Sequence, residues 1–265
     1  MVTTMSSDPN ARPSAVVLTL EDAKKYRDDY DGNSPGSHFY QARLSTLFEL
    51  IGHAHGRRVL DCGCGPAVVA SQFLRLQNLY VGIDLSESML REAANQIGQT
   101  DQGHLVRARV EHLPFQSECF DLVTCLGVLE YVDDVLMALQ EVSRVCANGA
   151  IVVASMLNRN SPYRYWHEQL VRHRLLRMGR ALIERRVGGD AEPLNMLSVS
   201  RVVSVFSRCG LDVSEIAYYD YNIWLTPLDR WFPKVAATTA ARLEWLRHTS
   251  LRKLGTAFLV KASKK

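Results

Sequence analysis

From residue 58 onward, apolar positions follow two alternating rhythms. Short, near-continuous runs of Val, Ile and Leu give way to longer stretches with an apolar residue every three or four positions. The first rhythm predicts strands buried on both faces, the second amphipathic helices. In order, "RRVLDC" (57–62) reads as strand, "AVVASQFLRL" (67–76) as helix and "NLYVGID" (78–84) as strand. "SESMLREAANQI" (86–97) reads as a helix capped by Ser86, "LVRARVE" (105–111) as strand, and "FDLVTCLGVLEYV" (120–132) as a strand running into a loop. "DDVLMALQEVSRVC" (133–146) is a helix opened by Asp133 and Asp134, and "AIVVASML" (150–157) is a strand after a turn at Asn148–Gly149. Such alternation makes a mostly parallel sheet covered by helices on both faces, an α/β doubly wound fold.

The flanks read differently. "LEDAKKYRDDY" (20–30) predicts a short polar helix and "DGNSPGS" (31–37) a break. Leu44, Leu47, Phe48 and Ile51 have helical spacing in a segment that stops near Gly52 or Gly56. After Leu157 a long basic helix is predicted over 161–186 and another over 198–209, with Gly210 just past its end. A strand follows at 211–221, a helical stretch broken at Pro233 over 226–250, and a closing strand at 256–263. The last two strands are expected to complete the sheet, and the helices of 158–197 and 226–250 to cap its functional edge. Residues 1–18 show no basic start followed by an apolar block and are expected to be a disordered leader, not a signal peptide.

Composition changes this picture little. The 265 residues are 47% hydrophobic and carry a net charge of +3, too small an excess to argue for a nucleic-acid partner. No apolar run approaches the roughly 20 residues of a bilayer span. None of the six cysteines forms a C-x-x-C pair, and most sit in apolar runs, as reduced thiols of a cytoplasmic protein would.

The chemistry concentrates in "VLDCGCGPAVVASQFLRLQNLYVGID" (59–84). Gly63 and Gly65 follow the first core strand, where a tight turn lets a ligand approach the backbone. A dinucleotide fingerprint requires a third glycine where Val68 stands, and Asp61 would repel a pyrophosphate. Asp84, at the end of the next strand, can accept both hydroxyls of a ribose. A ribose with a cationic or zwitterionic tail and no pyrophosphate describes S-adenosylmethionine.

Four ordered blocks carry a resemblance: "VLDCGCGPA", "GIDLSESML", "EHLPFQSECFDLVTCLGVLEYV" and "EVSRVCANGAIVVAS". Together they resemble the class I S-adenosylmethionine-dependent methyltransferases of the ubiquinone and menaquinone type. The resemblance implies a seven-stranded Rossmann-like sheet forming a single domain over 19–265, with N-terminal helices over 19–57 and the cofactor core over 58–157. It implies that Asp61, Gly63 and Gly65 hold the methionine part of the cofactor and Asp84 the ribose. Leu85 and Met89 would flank the adenine, Val110 and Glu111 lie along its other side, and Leu126 line the end of the fourth strand. Arg109 stands where the family often has an Asp for the adenine amino group. Some quinone methyltransferases hold a metal with a Glu–His pair and a second Glu three residues before it. Here those positions read Glu130, Tyr131 and Gly127, so no metal is expected.

A methyl group on a sulfonium is already activated, so the protein mainly aligns the acceptor and excludes water. Tyr131 and His167 are the catalytic candidates; Tyr26, Tyr30 and Arg43 are candidates to close over the cofactor from the N-terminal side, and His38 to lie near its mouth. Seven arginines between 164 and 186 suggest a small or lipid-like acceptor with an anionic group, or peripheral membrane contact through 163–186. A nucleic-acid (RNA) methyltransferase and a nicotinamide-dependent oxidoreductase are the alternatives. The first commonly needs an Asn/Asp-Pro-Pro-aromatic loop where "CLGVLEY" stands, the second a third glycine.

Overall fold

The computed structural model describes residues 20–30, 37–52, 54–166, 195–225 and 228–265. Its centre is a seven-stranded sheet: β1 (Arg58–Cys62), β2 (Leu79–Asp84), β3 (Gly103–Arg107), β4 (Phe120–Cys125), β5 (Cys146–Leu157), β6 (Leu211–Tyr219) and β7 (Ala257–Lys264). The spatial order is β3-β2-β1-β4-β5-β7-β6. All pairings are parallel except those of β7, which lies antiparallel between β5 and β6. The strand order reverses between β1 and β4, so the crevice beyond their carboxyl ends is where ligands of such sheets bind.

Residues alternate between the two faces with period two. On β1, Leu60 joins the core beneath α5 (Val135–Val145) and α6 (Val199–Arg208), while Val59 faces α2 (Ser37–Ile51), α3 (Ala70–Arg75) and α4 (Glu87–Ile97). The predicted caps form: Ser86 Oγ accepts from the Met89 amide at 3.3 Å, and Asp134 Oδ1 accepts from the amides of Leu136 (2.8 Å) and Met137 (3.1 Å). Cys62, Cys64, Cys125, Cys146 and Cys209 are buried, and Cys119 is half-buried.

Three expectations shift. The third strand ends at Arg107, and the predicted helix over 67–76 is shortened to Ala70–Arg75 by a turn that continues the glycine loop. Asn148–Gly149 is not a separate turn but part of a bulge inside β5: Phe120 pairs with Cys146 while Leu122 pairs with Ile151. The extra residues are looped out with Gly149 at φ +76°.

α1 (Leu20–Tyr30) packs on α2 and α4, tied to α4 by an ion pair of Arg27 with the buried Glu92. α7 (Leu228–Trp231), α8 (Pro233–Leu243) and two 3₁₀ turns (Glu244–His248, Ser250–Leu254) span from the end of β6 to the start of β7, at the carboxyl edge. Pro233 opens α8, where its missing N–H costs nothing. Of the predicted basic helix, residues 162–166 are helical; 167–186, and with them His167, lie outside the described residues. Among the described residues no helix is long and apolar enough to cross a membrane.

Candidate functional site

The turn after β1 is tight because two glycines adopt left-handed backbone angles, Gly63 at φ +64° and Gly65 at φ +53°. A Cβ on Gly63 would run into the Val128 side chain, so only glycine fits between the turn and the loop after β4. The Cys64 amide donates to the Ile83 carbonyl at 2.8 Å and the Gly65 amide to Asp84 Oδ2 at 2.9 Å. The Ser86 amide donates to Asp84 Oδ1 at 2.8 Å. Asp84 thus links the two turns and stays half-buried, leaving further lone pairs for a ligand. Burial raises its pKa, against the pull of those amides.

Asp61 lies beneath the turn and is 2% exposed. Tyr80 Oη donates to its Oδ2 at 2.8 Å and Thr124 Oγ1 to its Oδ1 at 2.7 Å. Burial lifts its pKa to about 6 in spite of these two donors and Arg43; the nearby Asp84 adds to the rise. The sequence reading missed Tyr80 and Thr124. Their signal was a polar atom inside an otherwise apolar strand, which must find a buried partner.

Met89 is buried beneath the turn, its Sδ 3.9 Å from the Cβ position of Gly65. Leu85 is half-buried, and its carbonyl accepts from Arg107 Nε at 3.0 Å. Val110, Glu111 and Leu126 are buried. Glu111 Oε1 accepts from Arg109 Nη2 (3.2 Å) and the Asp133 amide (3.1 Å), so Arg109 neutralises it and fixes the loop into α5.

On the other side of the crevice the N-terminal helices reach the loop after β4. Arg43 of α2 is 2% exposed, its guanidinium 5.2 Å from the Tyr40 ring centroid, 5.3 Å from Tyr30 and 5.8 Å from Phe39. Its Nη2 donates to Tyr30 Oη, and its Nη1 lies 2.7 Å from where a Cβ on Gly127 would stand. Tyr26 Oη is 3.7 Å from that same point, so α1 and α2 together cover this loop.

Glu130 follows, 3% exposed, while Tyr131 next to it is 38% exposed. Burial raises the Glu130 pKa to about 7, opposed by backbone hydrogen bonds from Glu130 and Leu157 and by Arg43 and Arg164. Beyond it, Asp220 accepts from Thr256 Oγ1, and His38 Nε2 lies 3.1 Å from Glu244 Oε1 and 3.9 Å from Asp220 Oδ1. His38 therefore ties α2 to the 3₁₀ turn that follows α8. Among the described residues no group of three or more His, Cys, Asp and Glu has the geometry of a metal site.

Comparison with known proteins agrees with this architecture. A family model described as "Methyltransferase domain" matches residues 60–154. A ubiquinone biosynthesis O-methyltransferase of Nitrosomonas europaea is 28% identical over 217 residues, covering 80% of this chain and 88% of that protein. Its counterpart in Alkalilimnicola ehrlichii is 36% identical over 120 residues, 44% of this chain and 49% of that protein; that of Leptothrix cholodnii is 29% identical over 57% and 66%. The chain thus spans about half and about two thirds of the length of these last two relatives. An S-adenosylmethionine-dependent methyltransferase of Mesorhizobium loti shares the fold with TM-score 0.58 at 20% identity, over 84% of this chain and 98% of its own. A [4+2]-cyclase, SpnF, shares it with TM-score 0.57 at 18% identity over 94% and 97%, so fold alone does not fix the chemistry.

Proposed function

We propose that this chain, a class I S-adenosylmethionine-dependent methyltransferase, moves the methyl group directly, in line and without a metal to a hydroxyl oxygen of a small, lipid-like acceptor. The reading rests on the Gly63–Gly65 cradle, closed against Val128 and docked on Asp84. That cradle fits S-adenosylmethionine: two residues without side chains, a half-buried carboxylate at the end of the next strand that accepts from the Gly65 amide, and no third glycine for a pyrophosphate. Asp61, Gly63 and Gly65 would hold the methionine part, with Asp61 acting from beneath the turn. Asp84 would take the ribose; Leu85, Met89, Val110 and Glu111 would bound the adenine, and Leu126 the floor beyond β4. When bound, the cofactor supplies an activated methyl group. The chain's own residues then exclude water, through α1 and α2, and orient the acceptor.

The acceptor class follows from the relatives, named for O-methylation in ubiquinone biosynthesis. The arginine-rich stretch 163–186 would meet an anionic group of the acceptor or of a membrane surface. Metal independence is supported by Arg43, whose cationic Nη1 fills the space into which a carboxylate at position 127 would project. A chelator is accordingly expected to leave the methylation rate unchanged; a rate abolished by EDTA and restored by Mg²⁺ would sink this part of the reading.

Thermal unfolding tests the cofactor assignment. S-adenosylmethionine and S-adenosylhomocysteine at about 100 times their dissociation constants are expected to add roughly 2.7 kcal/mol, or several degrees, while NAD and NADP add nothing. Protection by the dinucleotides alone would return the chain to the oxidoreductases.

A further inference from the structure

Among the described residues four buried side-chain polar atoms have no hydrogen-bond partner: Arg43 Nε, Glu130 Oε2, Arg164 Nε and Glu244 Oε2. They belong to four separate elements: Glu130, Arg164 and Glu244 follow the carboxyl ends of β4, β5 and β6, and Arg43 of α2 packs on the loop after β4. Their charges are close enough to couple: Glu130 feels Arg43 and Arg164, and Asp61 under the glycine turn feels Arg43 as well. The geometry agrees: Arg43 Nη1 lies 2.7 Å from the Cβ position of Gly127, three residues before Glu130 in the loop after β4. Among the described residues, Glu244 pairs within 4.0 Å with His38, and no such pair joins Glu130 or Glu244 to Arg43 or Arg164. Buried polar atoms are rarely left unsatisfied, and an unpartnered donor on Arg43 beside an unpartnered acceptor on Glu130 is the complement of a hydroxyl.

We propose that Glu130 Oε2 and Arg43 Nε grip the reacting hydroxyl of the acceptor, Glu130 taking its proton and Arg43 holding the oxygen left negative. The inference rests on the hydroxyl acceptor proposed above and assigns the residues that receive it. In the step, the O–H bond breaks with its electron pair left on oxygen and the proton goes to Glu130. An oxygen lone pair then forms the O–CH₃ bond as the S–CH₃ bond breaks, its pair staying on sulfur and cancelling the sulfonium charge. The environment suits both roles. Burial holds the Glu130 carboxyl near neutrality, where a base both accepts and releases protons efficiently. The guanidinium is a fixed cation, locked by Tyr30, Phe39 and Tyr40, so it need not reorganise as negative charge develops.

The test uses 4-nitrocatechol, an aromatic diol whose ionised form absorbs at longer wavelength, added to the S-adenosylhomocysteine complex at a pH where the free dye is protonated. The wild-type complex is expected to bind the dye in its ionised form. In E130Q the apparent ionisation of the bound dye moves up by at least about one pH unit, a tenfold smaller ionised fraction. R43K keeps the charge but not the planar fork, and it is expected to weaken dye binding more than it shifts ionisation. An E130Q complex that binds the dye ionised to the same extent as wild type overturns the inference and leaves the hydroxyl-acceptor reading standing. A wild-type complex that does not bind the dye overturns both. Thermal protection by S-adenosylhomocysteine is expected to survive in E130Q; its loss would place Glu130 on the cofactor side and overturn the assignment.

Discussion

Gly63→Ala is expected to abolish measurable S-adenosylhomocysteine binding and to destabilise the protein by roughly 2–5 kcal/mol. Two costs add. An L-residue at φ +64° gives up about 1–2 kcal/mol, because its Cβ crowds the following carbonyl. The new Cβ also lands on the Val128 side chain in a packed loop, an overpacking cost of about 1–3 kcal/mol. The sum is a large share of a domain's typical stability of about 5–15 kcal/mol. Binding suffers more than stability, because the turn can escape only by moving the Cys64 and Gly65 amides. The Gly65 amide is the one that docks Asp84 at 2.9 Å. The double variant Gly63→Ala/Val128→Ala separates the terms: it recovers the steric part and leaves the backbone part. Urea denaturation and calorimetric titration read both. A Gly63→Ala protein that binds S-adenosylhomocysteine like the parent would mean the cradle lies elsewhere.

A second large effect is a loss of stability of the ligand-free protein as pH rises from about 4 to about 7. Burial lifts Asp61 from 3.8 to about 6 and Glu130 from 4.5 to about 7. In that window the folded protein holds protons that the unfolded chain has already released, so stability falls with rising pH. Each rise of about two units corresponds to about 3 kcal/mol, fully felt above the folded-state pKa. Asp61 titrates against Tyr80, Thr124, Arg43 and Asp84; Glu130 titrates against Arg43 and Arg164. E130Q, which cannot ionise, is expected to flatten the upper half of the curve and to be more stable than the parent at about pH 8, even as it loses activity. Urea unfolding at about pH 5 and about pH 8 measures the difference. Stability that rises with pH across this window would show that the two carboxyls are not held as described.

The order of strands and helices, the two caps at Ser86 and Asp134, and the glycine turn with Asp61 and Asp84 were legible in the sequence alone. Each is a local property: periodicity reports which side of an element meets the core, a capping oxygen acts within its own turn, and glycine marks a backbone angle. The partners of buried charge were not legible. Nothing near Asp61 in the chain announces that Tyr80 and Thr124, one on each neighbouring strand, each donate to one of its oxygens. Nor does the sequence around Glu130 announce that it is buried near an arginine from a helix almost ninety positions earlier. Strand pairing and helix docking decide such meetings. The cost of desolvating a charge is settled by whichever distant groups those contacts bring near, and no repeat along the chain encodes that distance.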